Sequence, residues 1–420
     1  MNELSPPTTD TRDHATVNSR HEWHPLFDLA LKKLNGANFT ALDIRLPDGR
    51  VNRIGSVRDD SCVPELRIND WRIVRRGLSS TLIGWAEDYM DGLWDCEPLE
   101  SLTHWAMQNE RDLAAIIDGH WSAAWLKRLH RIGHLLRSNS RRGSRRNIAH
   151  HYDLGNDFYR LWLDPSMTYS SALFINETES LQQGQQNKYQ KIIDWLPADN
   201  QPEPLRIAEI GCGWGGFAAQ LTAQRPVDYQ GITLSSEQLA TCEARELTDN
   251  ESTIQFSLTD YRDLGGQFDA IVSIEMLEAV GEAHWSGYFN RINQLLRPGG
   301  AAVIQVITID DDRFDSYRQN VDFIQKYIFP GGMLLTPKSM HRLIDESGLQ
   351  LDEEMGFGHD YAATLRYWRE GFDRAWPQIA ALGYSERFRR MWRYYLCYCE
   401  SGFDAESIDV RLYRIQKPLD

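Results

Sequence analysis

The stretch Glu209-Ile210-Gly211-Cys212-Gly213-Trp214-Gly215-Gly216 follows the apolar-led run 205–208 and precedes the helix-compatible run 217–221. This order predicts a strand, a glycine turn and a helix. In open α/β sheets, such a unit binds nucleotide-like ligands. Glycine is favoured in such a turn because a side chain would keep the backbone away from the ligand. The stretch therefore predicts an α/β fold with its ligand at the end of this strand.

The glycine spacing alone leaves two ligand classes open. Gly211, Gly213 and Gly216 fit a dinucleotide loop. Glu209, two residues before the first glycine, together with Gly211, Gly213 and Gly215, fits the loop of S-adenosylmethionine (SAM) methyltransferases.

Apolar runs alternate with helix-compatible segments from residue 205 onward, as a doubly wound, Rossmann-like sheet requires. The predicted strands are 205–210, 227–232, 254–257, 268–274, 300–307, 349–356 and 408–415, with helices at 216–224 and 236–248. A smaller α/β module is predicted before them, with strands at 39–44, 66–68 and 71–74 and helices at 85–94 and 99–117.

The ends of the second and third predicted strands favour SAM. A dinucleotide site needs an acid after the second strand to bind the ribose, but a polar turn containing Thr233 and Gln238 stands there. The third strand is followed by Asp260, an acceptor for the adenine amino group, and by Tyr261, an aromatic surface for the ring. The combination predicts a class I SAM-dependent methyltransferase fold with a seven-stranded sheet.

Composition excludes several classes of protein. The 420 residues are 42% apolar, yet no run approaches 18 apolar residues and the first residues are polar, so neither a membrane-spanning helix nor a signal peptide is predicted. The six cysteines show no C-x-x-C pairing, which predicts no metal site. A net charge of -15 opposes general nucleic-acid binding.

One segment opposes this negative charge. Residues 121–150 contain no acid and eight fixed cations: Lys127, Arg128, Arg131, Arg137, Arg141, Arg142, Arg145 and Arg146. Apolar residues recur at three- and four-residue steps from Trp121 to Leu136, which is typical of an amphipathic helix. Such a helix either lies on an anionic bilayer or packs on a neighbouring domain with its arginines in solvent.

Further motifs resemble, in order, those of one enzyme family. They are 148–159, 166–172, 231–235, Glu278-Ala279-Val280-Gly281 and 326–332, together with the glycine loop. From residue 148 to the C-terminus the chain resembles the cyclopropane-fatty-acid synthases and mycolic acid cyclopropane synthases, and 66–100 resembles the N-terminal module of longer members. The SAM contacts that the resemblance adds are Tyr169, Ser170, Trp214, Leu234 and Ser235.

The resemblance implies transfer of a methylene unit from SAM to the cis double bond of an unsaturated acyl chain in a phospholipid. An alkene is a poor nucleophile, so the enzyme must align the reactants in a dry cavity. A base then removes a proton from the added methyl group so that the ring closes, while aromatic faces stabilise the cation. The alternatives are a fatty-acid C-methyltransferase, a small-molecule N-methyltransferase and a noncatalytic lipid-binding protein.

Related enzymes hold a bicarbonate ion as that base, and the resemblance assigns Glu278 and Tyr361 to the ion. Ser171 and Gln305 stand where the family has cysteine and histidine, so a backbone N–H and a neutral amide would replace those groups, and Ile307 completes the second motif. Cys399 aligns with a cysteine suspected of being a nucleophile, although a thiol in an aromatic helix is more often packed.

These expectations define four segments. They are a disordered tail at 1–20, a lipid-engaging N-terminal module at 21–120, a basic amphipathic linker at 121–147 and the catalytic domain at 148–420. The protein is expected to be a cytoplasmic homodimer that associates peripherally with the inner face of the membrane, where two modules bind one anionic surface.

Overall fold

The computed structural model describes residues 38–57, 63–73, 82–113, 154–197, 204–247 and 251–419. The predicted tail 1–20, the basic linker 121–147 and the first part of the 148–159 motif lie outside these residues.

The N-terminal module contains a small mixed sheet with the strand order β2-β1-β3-β4. Its elements are β1 (Leu42–Arg45), β2 (Val51–Ile54), β3 (Glu65–Ile68), β4 (Trp94–Cys96), α1 (Leu82–Met90) and α2 (Leu99–Gln108). Alternate residues of β3 are buried, so one face of the sheet packs on the core.

Two sequence predictions for this module are wrong. Residues 72–73 are helical rather than part of a strand at 71–74. The helix predicted at 85–94 ends at Met90, because a turn follows it and brings Trp94 into register with Ile68 in the sheet.

The second sheet has seven strands in the order β10-β11-β9-β8-β5-β6-β7. Its strands are β5 (Leu205–Ile210), β6 (Val227–Thr233), β7 (Thr253–Leu258), β8 (Phe268–Ile274), β9 (Leu296–Ile309), β10 (Gln350–Gly356) and β11 (Ile408–Gln416). Strands β5 to β9 are parallel, whereas β11 runs antiparallel to both of its neighbours. The predicted seven-stranded, doubly wound architecture is confirmed.

The helices that cover this sheet are α3 (Asn156–Arg160), α4 (Leu181–Asp194), α5 (Gly216–Thr222), α6 (Ser236–Ala244), α7 (Trp285–Leu295), α8 (Asp311–Gln319), α9 (Pro337–Glu346), α10 (Gly358–Ala381) and α11 (Glu386–Asp404). Short turns of 3-10 helix at Leu277–Ala279 and Glu282–His284 follow β8, and a π-helix spans Ile324–Ile328. Among the described residues, no helix is both long enough and apolar enough to cross a membrane.

The long helix α11 joins the two modules, since it packs on α10 and also on α1 and α2. Strands β5, β8 and β9 are parallel neighbours, so their carboxyl ends meet at one edge of the sheet. The candidate site residues lie at this edge.

Candidate active site

The glycine turn forms an open cradle at the end of β5. Gly211 and Gly213 have φ values of 84° and 53°, which favour glycine. The N–H groups of Gly211 and Cys212 both donate to the Ile232 carbonyl, at 2.9 and 3.0 Å, and fix the turn. A Cβ added to Gly213 would have no heavy atom within 4 Å, so the turn faces open space that a ligand such as SAM can enter.

The acid of this motif is held inside the sheet. The Glu209 carboxylate accepts a hydrogen bond from the Tyr229 hydroxyl on β6, and Glu209 is buried. Burial raises the pKa of Glu209 to about 7.

The polar turn after β6 is tied together by its own side chains. Thr233 Oγ1 lies 2.7 Å from Gln238 Oε1, and Ser235 caps α6 by accepting from the Gln238 N–H. Leu234 is half-buried at the tip of the strand. The residues expected to bind the ribose and adenosine thus also hold the turn in its conformation.

The Asp260 carboxylate, predicted to accept from adenine, is buried and binds Arg262 through both oxygens, at 2.8 and 2.6 Å. Oδ1 also accepts from the Arg262 backbone N–H at 3.0 Å. Because a carboxylate offers about four acceptor positions, these bonds are compatible with an adenine contact. The Tyr261 ring lies edge-on to Tyr288, with ring centroids 5.3 Å apart.

Three further predicted cofactor contacts come from the glycine turn, which holds Trp214, and from the loop before α4, which holds Tyr169 and Ser170. Trp214 donates from Nε1 to Asn156 Oδ1 at 2.7 Å. The hydroxyls of Tyr169 and Tyr395 are 2.9 Å apart. Ser170 Oγ accepts from Nζ of Lys188 at 2.7 Å, a fully buried lysine that the sequence analysis did not identify.

Burial lowers the pKa of Lys188 to about 7, while the nearby Glu275 opposes that shift. Lys188 lies one helical turn before Ile192, on the buried face of α4. In the sequence, the signal that could have identified Lys188 was its helical spacing from Ile192, which places a lysine on the apolar side of the helix.

Glu275 is the centre of the site, and no role in the anion site was predicted for it. Its Oε1 accepts from the backbone N–H of Ser171 and from Nε2 of Gln305, both at 2.8 Å. Its Oε2 accepts from the Tyr361 hydroxyl at 2.7 Å. Burial raises the pKa of Glu275, and these three donors oppose the shift.

Glu278 lies beside Glu275 in the 3-10 turn after β8. Its Oε1 accepts from the Ile307 N–H at 2.6 Å. Burial and the charge of Glu275 raise the pKa of Glu278 to about 8. Within the described residues, no hydrogen-bond partner reaches Glu278 Oε2 or Gln305 Oε1, although both atoms are buried. Both atoms therefore retain hydrogen-bonding capacity that a bound ligand can use.

The structure therefore brings together the predicted anion-site residues Ser171, Gln305, Ile307, Tyr361 and Glu278. The carboxylate of Glu275 lies at their centre.

Cys399 lies on α11, where burial and the charge of Asp322 raise the pKa of its thiol. A thiol held neutral is a weak nucleophile, which supports the packing alternative for Cys399.

A cluster of aromatic rings lies beside the Glu275 carboxylate, to which Tyr361 donates. Tyr361 stacks on Phe403 with centroids 4.4 Å apart and meets Trp368 edge-on at 6.0 Å. Tyr169 packs on Trp368 at 5.0 Å. The arrangement combines an open glycine cradle, a carboxylate pair and an aromatic wall, which suits chemistry on an apolar substrate in a dry site.

A sequence profile of the family described as mycolic acid cyclopropane synthetase matches residues 139–413. The chain belongs to this family. It is 36% identical over 352 residues to the tuberculostearic acid methyltransferase UfaA1 of Mycobacterium tuberculosis, with 81% of this chain and 79% of that protein aligned. It is 34% identical over 378 residues to the cyclopropane-fatty-acyl-phospholipid synthase of Escherichia coli K12, with 88% and 92% aligned.

Solved structures of mycolic acid cyclopropane synthases share the fold of this family member. The CmaA1 complex with SAH and CTAB superposes with a TM-score of 0.61 at 26% identity, covering 65% of this chain and 98% of that chain. MmaA2 from Mycobacterium tuberculosis gives a TM-score of 0.60 at 28% identity with the same coverage. The fold is that of class I SAM-dependent methyltransferases, as predicted.

Proposed function

We propose that this protein is a SAM-dependent cyclopropane-fatty-acyl-phospholipid synthase. The observation that carries the proposal is the buried carboxylate pair, Glu275 and Glu278, at the same sheet edge as the glycine turn, with aromatic rings beside Glu275. The family membership and the similarity to the Escherichia coli synthase support a fatty acyl substrate.

When bound, SAM supplies an electrophilic methyl carbon. The turn 211–216 and the polar turn 233–238 would hold it, with Asp260 and Tyr261 at the adenine end. Tyr169, Tyr361 and Trp368 would exclude water and present aromatic faces to a cationic acyl chain. A carboxylate enclosed beside these rings can accept a proton where water cannot compete.

The test is incubation of the full chain with SAM and vesicles of monounsaturated phosphatidylglycerol, followed by mass spectrometry of the acyl chains. A mass gain of one methylene with high-field cyclopropane proton signals supports the synthase. A methyl or methylene branch would instead support a fatty-acid C-methyltransferase, which the similarity to the tuberculostearic acid methyltransferase favours as second candidate. An unchanged acyl chain under all conditions would contradict both.

The proposal includes peripheral binding of a homodimer to the membrane through the N-terminal module, 21–120, and the basic linker, 121–147. The eight cations of that linker, without an acid among them, carry this part. Replacing Arg141, Arg142, Arg145 and Arg146 by serine is expected to abolish salt-sensitive cosedimentation with anionic vesicles. Unchanged cosedimentation would contradict it, and sedimentation velocity reports the dimer.

A further inference from the structure

The donors expected to bind bicarbonate are all engaged by the protein's own carboxylates. Glu275 takes the Ser171 N–H, the Gln305 amide and the Tyr361 hydroxyl. Glu278 takes the Ile307 N–H. A bicarbonate ion at this position would have to displace a carboxylate of equal charge from at least three hydrogen bonds. The residues present therefore do not fit a bound bicarbonate.

The backbone indicates that Glu275 is placed here under strain. Its φ of 48° lies in the left-handed region, which is uncommon for residues other than glycine and asparagine. Its N–H donates to the Gln305 carbonyl at 2.8 Å, so the same residue of β9 fixes both its backbone and its carboxylate. Strain of this kind persists where surrounding contacts over-determine a conformation, and it clusters at active sites.

The three hydrogen-bond donors to Glu275 favour its anionic form and make it the anionic member of the pair. It interacts with Glu278 of the 3-10 turn, Lys188 of α4 and Tyr361 of α10. Glu278 has a single donor and a pKa of about 8, so it holds a proton at neutral pH. Glu275 has three donors. Because a carboxylate offers about four acceptor positions, about one position on Glu275 is left for a substrate proton.

We propose that the Glu275 carboxylate itself occupies the anion site and serves as the base of the reaction, so that this protein needs no bicarbonate. The inference rests on the proposed function. Once the alkene has gained a methyl group, the neighbouring carbon is cationic. A Glu275 oxygen takes one proton from that methyl group, and the freed C–H electron pair forms the closing bond of the ring. The proton then leaves Glu275 for water, so that the net release is one proton per ring.

The first test is a binding measurement that requires no turnover. The full chain, saturated with S-adenosylhomocysteine, is titrated with sodium bicarbonate in a calorimeter. We expect no binding to the wild type and measurable binding to Glu275→Gly, which removes the carboxylate and relieves the positive φ. Bicarbonate binding to the wild type would overturn the proposal by itself, whether or not the variants fold.

The second test measures turnover in buffer freed of carbon dioxide. Wild-type turnover is expected to change less than about twofold on adding bicarbonate, whereas Glu275→Gln should lose about a hundredfold or more. Bicarbonate should restore Glu275→Gly at least about tenfold, a rescue that a merely structural role would not produce. Glu346→Gln, the same change at an exposed position on α9, is the matched control. S-adenosylhomocysteine affinity confirms that each variant is folded.

The failures of the two proposals are distinguishable. Bicarbonate-dependent wild-type turnover, or a Glu275→Gln variant within about threefold of the wild type, would overturn the role of Glu275 and leave the synthase assignment intact. A wild type that modifies no acyl chain would overturn the proposed function, and the bicarbonate titration would still decide what occupies the anion site.

Discussion

Glu275 and Glu278 are three residues apart and their side chains have different environments. Glu275 accepts three hydrogen bonds, whereas Glu278 accepts one and leaves its second oxygen buried without a partner among the described residues. Two like charges in one enclosed site cannot both ionise easily, so their pKa values separate. The pair is therefore expected to carry about one proton at neutral pH.

Replacing Glu278 by glutamine tests this assignment through stability. The ordinary pKa of 4.5 rises to about 8 in the folded protein, so the stabilising protonated form is complete below 4.5 and is lost as the pH rises through about 8. As the pH rises from 5 to 8.5, the Tm of Glu278→Gln should therefore increase by about 2–4 °C relative to the Tm of the wild type. Thermal melts across this pH range measure the difference, and Glu346→Gln is the control. Parallel plots of Tm against pH for the wild type and Glu278→Gln would contradict the assignment.

The contribution of Lys188 to stability depends on pH in the opposite direction and over a higher pH range. Its pKa falls from 10.5 to about 7 on folding, so the folded protein binds fewer protons than the unfolded chain between these values. Stability from this group rises with pH across the window. In Lys188→Met, which retains the packing volume, the Tm should rise with pH by about 2–4 °C less than in the wild type between pH 7 and pH 9.5. If Tm changed equally with pH in both proteins, the lowered pKa of Lys188 would be refuted.

At the scale of elements, a network of charged side chains centred on one buried carboxylate joins α10, α11 and α2. Glu400 is 1% exposed and accepts from Nε of Arg366 and from Nε of Arg369, both at 3.1 Å. Arg369 also pairs with Glu100 of α2 at 3.1 Å. This network fixes α10, and with it Tyr361, relative to the N-terminal module.

Removing Glu400 is expected to destabilise the protein strongly, because Arg369 would remain buried with less compensation for its charge. Glu400→Ala should lower the free energy of unfolding by about 3–5 kcal/mol. The exposed neighbour Glu370 provides the control, since Glu370→Ala should change it by less than about 0.5 kcal/mol. Urea unfolding of both variants measures the difference, and similar midpoints would contradict the network.

At the scale of the whole molecule, arginines of α11 connect the catalytic sheet to the N-terminal module. Nη2 of Arg390 donates to the Trp94 carbonyl at 2.7 Å and to Asp95 Oδ1 at 2.6 Å, and its guanidinium lies 4.1 Å from the Tyr89 ring centroid. Arg387, one turn earlier, pairs with Asp91 through a side chain that is 51% exposed. Partly buried hydrogen bonds from a charged donor contribute more to stability than an exposed ion pair does.

The two arginines form a matched pair for testing the junction. Arg390→Ala should accelerate hydrogen exchange of the β4 amides by about tenfold or more, because charged donors contribute about 1.5–3 kcal/mol to such contacts. Arg387→Ala should change the same amides by less than about threefold. Mass-spectrometric exchange of the 94–96 peptide measures both, and equal effects would show that Arg390 does not hold the junction.

The sequence predicted elements well where one local pattern governs them. Strand β5 and strand β8 have the predicted bounds, 205–210 and 268–274, because their apolar runs end at glycine or polar residues. The N-terminal module was less predictable. Trp94 continues a helical pattern in the sequence, yet β4 forms because pairing with β3 outweighs local propensity.

The amino-acid sequence by itself determined the α/β fold, the glycine cradle and the family, because each depends on residue types at short spacing. Only the tertiary structure decided which carboxylate fills the anion site. The three donors to Glu275 come from residues 104, 30 and 86 positions away, and nothing in the order of the chain shows which side chain reaches them. Hydrogen bonds of that range exist only after the strands and α10 have packed together.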